Sequence, residues 1–405
     1  MEDIIFHIDV NSAYLSWTAL EQLKNGADLD LRTIPSIIGG DIEHRHGVVL
    51  AKSLPAKKYG ITTGEPIVHA LRKCPDLTIA PPDHSLYEEK SHEFTKYLHQ
   101  ICPDIEKTSI DECYLYYSPI AARYPSPKHA AGHIKDTVRE KFGFTVNIGI
   151  SDKKVLAKMA SDFKKPDLIH TLYTHEIQTK MWPLNVSSLY MCGKSSVDTL
   201  RKLEINTIGQ LAKADPDILY SHLKSHGILL WEYANGIDDS KVLSQPQELK
   251  GIGNSTTLSQ DAHTAAEAYH TLLALAESVA GRLRAAGQLA GMVSTEIKYN
   301  TFKKVSHQTT LTIPVNNSQT IYETACKLFD EIWDQTPIRL LGIRTARLVA
   351  ETEPVQLSFD DMINTTNPAN SARQQTLDKA LDQIRQKFGE DAVMRGSLMP
   401  KKKKH

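Results

Sequence analysis

Three acids combine residue type and placement in a way that could do chemistry. Asp9 closes an apolar, β-prone run covering residues 3 to 10, and Asp111 with Glu112 opens a second run that reaches Tyr117. Carboxylates are hard oxygen ligands that suit Mg2+, an ion that keeps several waters and completes its shell with substrate phosphates. Two such ions can activate an attacking oxygen and neutralise a leaving one in phosphoryl transfer. A single acid at a strand end is more often a solvated turn residue, so the three gain meaning only from each other and from their partners. Adjacent residues of a regular strand point to opposite faces; Asp111 and Glu112 can therefore share a site only at a bend or a strand start. Lys57-Lys58 and Lys164-Lys165 flank the acidic segments and could supply the cations that a triphosphate needs. Main-chain amides at the helix start after Asp9 could also receive phosphate oxygens. No Walker A loop and no G-x-G-x-x-G is present, which removes P-loop and Rossmann readings.

The elements that must position these groups follow from the pattern. Asn11 and Ser12 are good N-cap residues, and Tyr14, Leu15, Trp17, Ala19, Leu20 and Leu23 recur at helical spacing until Asn25-Gly26. Residues 87–101 and 129–142 read as helices, and the strict alternation of Phe144, Val146, Ile148 and Ile150 predicts a half-buried strand. Three strands with intervening helices describe an α+β sheet domain. From Trp182 to Trp231 short helices predominate. Residues 235–247 have a linker's composition, and beyond it the pattern is that of a compact β-α-β-β-α-β unit of about 100 residues, a size that can fold alone. A further amphipathic helix spans 372–388, and the tail is Lys401 to His405.

Length and composition fit this plan. At 405 residues, with 41% hydrophobic and 23% charged residues, the chain is large enough for several cores and is neither disordered nor collagen-like. Five scattered cysteines without a C-x-x-C suggest neither a disulfide framework nor a zinc site. No apolar run approaches a membrane span, and the first residues carry acids where a secretory signal would carry Lys or Arg, so a cytoplasmic location is expected. The net charge is −1, yet residues 44–73, 151–166 and 282–304 carry +5, +3 and +4. The remaining 336 residues must then hold −13, a partition that suits a basic groove in an acidic shell.

Four segments taken together resemble one family. They are Phe6 to Tyr14 (FHIDVNSAY), Leu50 to Ile61 (LAKSLPAKKYGI), Ser109-Ile110-Asp111-Glu112, and Gly149-Ile150-Ser151 followed by Leu156 to Asp162 (LAKMASD) and Lys165-Pro166. In this order they resemble the Y-family DNA polymerases, in particular the bacterial DNA polymerase IV branch of translesion enzymes, over residues 3 to 350.

The resemblance implies a right-hand polymerase with an added little finger domain. Palm would be 1–10 and 75–166, fingers 11–74, thumb 167–240, little finger 241–350, and a C-terminal tail 351–405. It implies catalytic and metal-binding roles for Asp9, Asp111 and Glu112, with the Val10 carbonyl completing a site for two Mg2+ ions. Tyr14 would be the steric gate against a ribose 2′-OH. Lys57 and Lys165, with Asn11, Ser12 and Ala13, would bind the dNTP triphosphate. In the thumb, Leu189 to Lys194 resembles a helix-hairpin-helix turn that grips DNA phosphate through main-chain amides, so Gly193 and Lys194 would touch DNA. In the little finger, Arg282, Arg284, Lys298, Lys303 and Lys304 would lie along the duplex. Gln356, Leu357 and Phe359 resemble the short peptide by which such enzymes dock on the sliding clamp. The implied activity is template-directed, error-prone addition of dNTPs to a primer 3′-OH without proofreading, by a monomer on primer-template DNA.

The chain departs from the family at several points. Leu54 stands where many relatives have a phosphate-contacting Tyr, Lys57 replaces an Arg and loses its bidentate fork, and Tyr190 and Met191 replace a Pro and the first hairpin Gly. A nucleotidyl cyclase would share a palm-like sheet but would not need the DNA-gripping domains. A silent scaffold would be expected to lose one of the carboxylates.

Overall fold

In the computed structural model the described residues are 3–40, 47–245, 248–353, 368–389, 392, 393 and 395–398, with only the backbone described for 368–375 and 397. They form two compact units that divide near residue 246.

The first unit begins with β1 (Ile5–Val10) and α1 (Ala13–Lys24). Three short strands and two short helices follow: β2 (Ser36–Gly39), β3 (Val49–Lys52), α2 (Leu54–Lys58), α3 (Ile67–Lys73) and β4 (Thr78–Ala80). The chain then builds α4 (His84–Ile101), β5 (Ile105–Lys107), β6 (Glu112–Tyr116), α5 (Pro127–Phe142), β7 (Val146–Ser151), α6 (Lys154–Ser161) and β8 (Ile169–Thr171). The larger sheet has the order β5-β6-β1-β7-β8, with β1 antiparallel to both neighbours.

Strand alternation decides what each face of this sheet does. Phe6, Ile8 and Val10 of β1, Cys113 and Leu115 of β6, and Val146, Ile148 and Ile150 of β7 join Trp17, Tyr87, Phe94, Ile134 and Phe144 in one core beneath α1, α4 and α5. The intervening residues, His7 and Asp9, Glu112 and Tyr114, Asn147 and Gly149, face the other side, where α6 lies.

The alternation in 144–150 predicts one solvated face, yet every residue of β7 is buried. The reason is Gly149. A Cβ there would stand 2.0 Å from the Ala157 carbonyl oxygen and 2.5 Å from the Ser161 nitrogen, so only glycine lets α6 press directly onto the strand. The polar residues left on that face are satisfied: Asn147 Nδ2 donates to the carbonyls of Ser161 (3.0 Å) and Lys164 (2.7 Å), and Ser151 donates to that of Leu172.

The smaller sheet, β3-β2-β4, was not legible in the sequence because its strands have only three or four residues. One face packs Ile37 and Val49 against Ala56, Ile61 and Ile67; the other packs Ile38 and Ala51 against Leu15 and Ala19 of α1. The unit ends in short helices, α7 (Ile177–Lys180), α8 (Lys194–Lys202), α9 (Ile208–Ala212), α10 (Pro216–Leu223) and α11 (Ser225–Ala234), as the pattern predicts.

The second unit contains β9 (Gly251–Ala262), α12 (Ala265–Ala285), β10 (Gln288–Tyr299), β11 (Lys304–Val315), α13 (Ser318–Ile332) and β12 (Ile338–Ala350), in the expected β-α-β-β-α-β order. Its antiparallel sheet runs β11-β10-β12-β9. Val293, Ile297, Leu341 and Ile343 point into a core with Leu272, Ala276, Ile321 and Phe329 of the two helices. On the opposite face Ser294, Glu296, Ser306, Gln308 and Arg344 line an open polar hollow. A last helix, α14 (Pro368–Phe388), belongs to the same unit.

Candidate active site

Antiparallel register sets Asp9 of β1 opposite Glu112, the first residue of β6, so both carboxylates leave the same face of the sheet. Asp111 lies just before the strand in a bend, free of its alternation. Ser109 builds that bend: its hydroxyl donates to Asp111 Oδ1 (2.7 Å) and accepts from the amide of Glu112 (3.1 Å). The amide of Val10 donates to the Asp111 carbonyl (3.0 Å), tying the bend to β1.

Cations stand directly over the pair. Lys158 of α6 forms an ion pair with Glu112 and lies 3.6 Å from Asp9, while Lys165 is 3.1 Å from Asp9 and 2.9 Å from Asp162. Burial pushes the Asp9 carboxyl up to about 7, against the pull of Lys165. Burial acts the same way on Glu112, but hydrogen bonds with His7, Asp9 and Lys158 outweigh it and hold that carboxyl below the usual range. Beneath the two carboxylates sits His7, 1% exposed, its Nδ1 2.8 Å from Ser161 Oγ and its Nε2 3.8 Å from Glu112; burial lowers its pKa. Neither His7 nor Lys158 is marked out by sequence spacing, because the strand register and the glycine-permitted approach of α6 bring them in.

Next to the acids opens a cavity of about 680 Å³, lined by Asp9, Asp111, the start of α1, β3, α2 and Lys165. Ser12 departs from the expected N-cap. It adopts a left-handed backbone (φ 47°) and its side chain makes no capping bond, so the first-turn amides are left without the side-chain acceptor that usually covers them. Asn11 also differs from expectation: its amide donates to Thr145 O, its Oδ1 accepts from Thr145 and the Asp167 amide, and its Nδ2 donates to Asn147. It braces the wall and is not a free donor. Tyr14 stacks on buried Tyr87, with centroids 4.3 Å apart and planes 7° from parallel, and remains part of the cavity wall. Lys57 lies on the same wall, as do Arg32 and Lys52, which sequence reasoning did not single out.

Of the other expected contacts, Gly193 begins α8 without a side-chain cap and Lys194 is exposed, but the amide of Tyr190 is already given to Met159 Sδ, that of Cys192 to Leu189 O, and that of Gly193 to Met191 O. In the second unit Lys303 and Lys304 are exposed at the β10–β11 turn, Lys304 pairing with Glu296, and Lys298 lies over the Phe302 ring. Arg282 donates to the Gly253 carbonyl. Arg284 does not face outward: its side chain is 6% exposed and its guanidinium is held by Asp378 and Asp382 of α14. Gln356, Leu357, Phe359, Arg45 and the lysine tail lie outside the described residues.

Comparison with known proteins agrees with this architecture. The impB/mucB/samB family matches residues 8–162, and the C-terminal domain of that family matches residues 249–359. A Y-family DNA polymerase chimera of Dbh and Dpo4 superimposes with a TM-score of 0.74 at 18% identity, covering 86% of this chain and 99% of that one. The chain belongs to the Y-family of DNA polymerases. Within it, the DNA polymerase IV of Clostridium acetobutylicum is 46% identical over the full length of both chains. That of Alkaliphilus oremlandii is 34% identical over 99% of this chain and all of its own, and DNA polymerase IV 1 of Bacillus subtilis strain 168 is 31% identical over 98% and 94%. The protein stands on that branch: it is a DNA-directed DNA polymerase of translesion synthesis, which takes DNA as substrate and depends on divalent metal. Among the described residues no helix is long and apolar enough to cross a membrane.

Proposed function

We propose that Asp9, Asp111 and Glu112, with the Val10 carbonyl, hold two Mg2+ ions, and that the adjoining cavity receives the dNTP. The observation that carries this reading is the cross-strand pairing of Asp9 with Glu112 beside a bend that presents Asp111. All donors are hard oxygens, which fits Mg2+, although the described residues contain no preformed cluster of three or more His, Cys, Asp or Glu side chains. When bound, the ions supply activation of the primer 3′-oxygen and neutralisation of the leaving pyrophosphate.

The remaining work falls to the chain. The 3′-oxygen forms a bond to the α-phosphorus and the bond to pyrophosphate breaks, without a covalent enzyme intermediate. Lys57 and Lys165 take phosphate charge, and the α1 start around Ser12 and Ala13 offers amides to phosphate oxygens. Tyr14, fixed by its stack on Tyr87, occupies the space a ribose 2′-OH would need. Residues 1–10 and 75–166 serve as palm, 11–74 as fingers, 167–240 as thumb and 241–350 as little finger. Lys194, Arg282, Lys298, Lys303 and Lys304 contact the DNA backbone; Gly193 and Arg284 are left out because the amide of the one and the charge of the other are spent internally. The enzyme acts as a cytoplasmic monomer, recruited to the sliding clamp through Gln356, Leu357 and Phe359.

Primer extension tests the site. Asp111→Ala should lose at least about a thousandfold in rate, as expected when a centre stabilising the transition state is removed. Tyr14→Ala should lose discrimination against rNTPs by about a hundredfold. Robust synthesis by Asp111→Ala would overturn the metal assignment, and unchanged rNTP exclusion by Tyr14→Ala would overturn the gate.

A further inference from the structure

Among the described residues, four cationic side chains line the cavity: Arg32, Lys52, Lys57 and Lys165. Two are already engaged by acids. Arg32 makes a forked contact with Asp30 (2.8 to 3.1 Å) and donates to the Gly143 carbonyl at 2.8 Å, and Lys165 is held between Asp9 and Asp162. Lys52 and Lys57 have no carboxylate partner among the described residues. Glu65, the acid whose charge reaches Lys52, is committed to Lys73 at 2.5 Å and to the amide of Thr62 at 3.0 Å. Two neighbouring ammonium groups on one wall without a counter-ion repel each other, and that repulsion is relieved when an anion enters between them. Burial, followed by Lys57, indeed lowers the Lys52 pKa.

The backbone under Lys52 is firmly placed. It ends β3, where it pairs with Ile37, while Val49 and Ala51 beside it are anchored in the cores on the two sides of the small sheet. Ser53 then caps α2 through the Ala56 amide and donates to the Ile34 carbonyl (2.7 Å). The next residue is Leu54, half exposed on the cavity wall, where the resemblance expects a tyrosine hydroxyl against the triphosphate. A leucine offers a phosphate nothing.

We infer that Lys52 binds the triphosphate of the incoming nucleotide alongside Lys57 and replaces the phosphate contact that Leu54 lacks. The assignment rests on the reading of this cavity as the dNTP site. A phosphate oxygen bridging Lys52 and Lys57 would exchange like-charge repulsion for two charge-assisted hydrogen bonds.

Steady-state extension with Lys52→Ala and Lys52→Met, the latter keeping the apolar stem, separates the possibilities. The dNTP KM should rise about tenfold or more, as for loss of a charged hydrogen bond, with kcat and DNA affinity little changed. Lys52→Arg should stay near wild type, and adding Leu54→Tyr to Lys52→Ala should recover part of the lost affinity. An unchanged dNTP KM in both variants, or an equal loss of DNA affinity, would overturn the role of Lys52. Active Asp111→Ala enzyme would instead overturn the site itself, so the two failures are distinguishable.

Discussion

At the scale of single residues, the gate depends on its support as much as on its own ring. Tyr14 is only half-buried, and what fixes its plane is Tyr87, fully buried and held by a 2.9 Å hydrogen bond to Thr18. Tyr87→Ala should therefore weaken rNTP exclusion although Tyr87 does not line the cavity, while Tyr87→Phe, which keeps the stack, should leave it nearly intact. Parallel rNTP and dNTP incorporation assays on the two variants check this, and equal exclusion by both would refute it. The deletion should also cost about 3 to 5 kcal/mol of stability, since it empties an aromatic site in the core. The carboxylates were legible in the sequence because acids at the ends of apolar runs stand out against their neighbours. His7 was not, because a histidine inside a strand declares itself only when the register carries it under Glu112.

At the scale of elements, the close contact of β7 with α6 places Lys158 over Asp9 and Glu112. Gly149→Ala would drive a methyl group into backbone atoms of α6, which cannot yield as a side-chain tip can. Denaturant unfolding should show a loss of more than about 3 kcal/mol, beyond ordinary overpacking. If the variant folds, its activity should fall as well, because α6 must move with Lys158. A stable, fully active Gly149→Ala protein would show that the approach of α6 is not needed. The main strands and helices of the first unit were readable as periodicities, and so were the helices of the second and its strands β10, β11 and β12, whereas β9 (Gly251–Ala262) was implied only by the β-α-β-β-α-β order. Burial of both faces of β7 was not, because alternation reports which side chains are apolar and not what covers the polar ones. The β3-β2-β4 sheet escaped because three or four residues are too few for a period, and with it went Lys52, whose place on the cavity wall is set by that sheet.

At the scale of the molecule, charge counted along the sequence is not charge available to a partner. Arg284 belongs to a basic segment expected to lie along DNA; instead it joins an internal ion-pair network in which Asp378 also accepts from Ser318, and Glu277 of α12 pairs with Arg385 and Arg395. Arg284→Ala should remove the guanidinium that Asp378 and Asp382 share, leaving Asp378, itself 1% exposed, to Ser318 and Arg395, at a cost of about 1 to 3 kcal/mol to the second unit. Hydrogen exchange of the full chain should show α14 loosened and the first unit unchanged. Protection of α14 equal to wild type would show that the network does not hold it.

The same pairing has a consequence for how the enzyme should respond to salt. DNA affinity falls with salt in proportion to the counterions that leave the duplex when protein cations replace them, and a cation already matched to a carboxylate displaces few. Within the three basic segments Lys73, Lys154, Lys158, Arg284 and Lys304 are matched in this way. The logarithmic slope of DNA binding against salt should therefore be markedly shallower than a census of lysines and arginines suggests, leaving the enzyme's hold on DNA comparatively insensitive to the ionic strength around it.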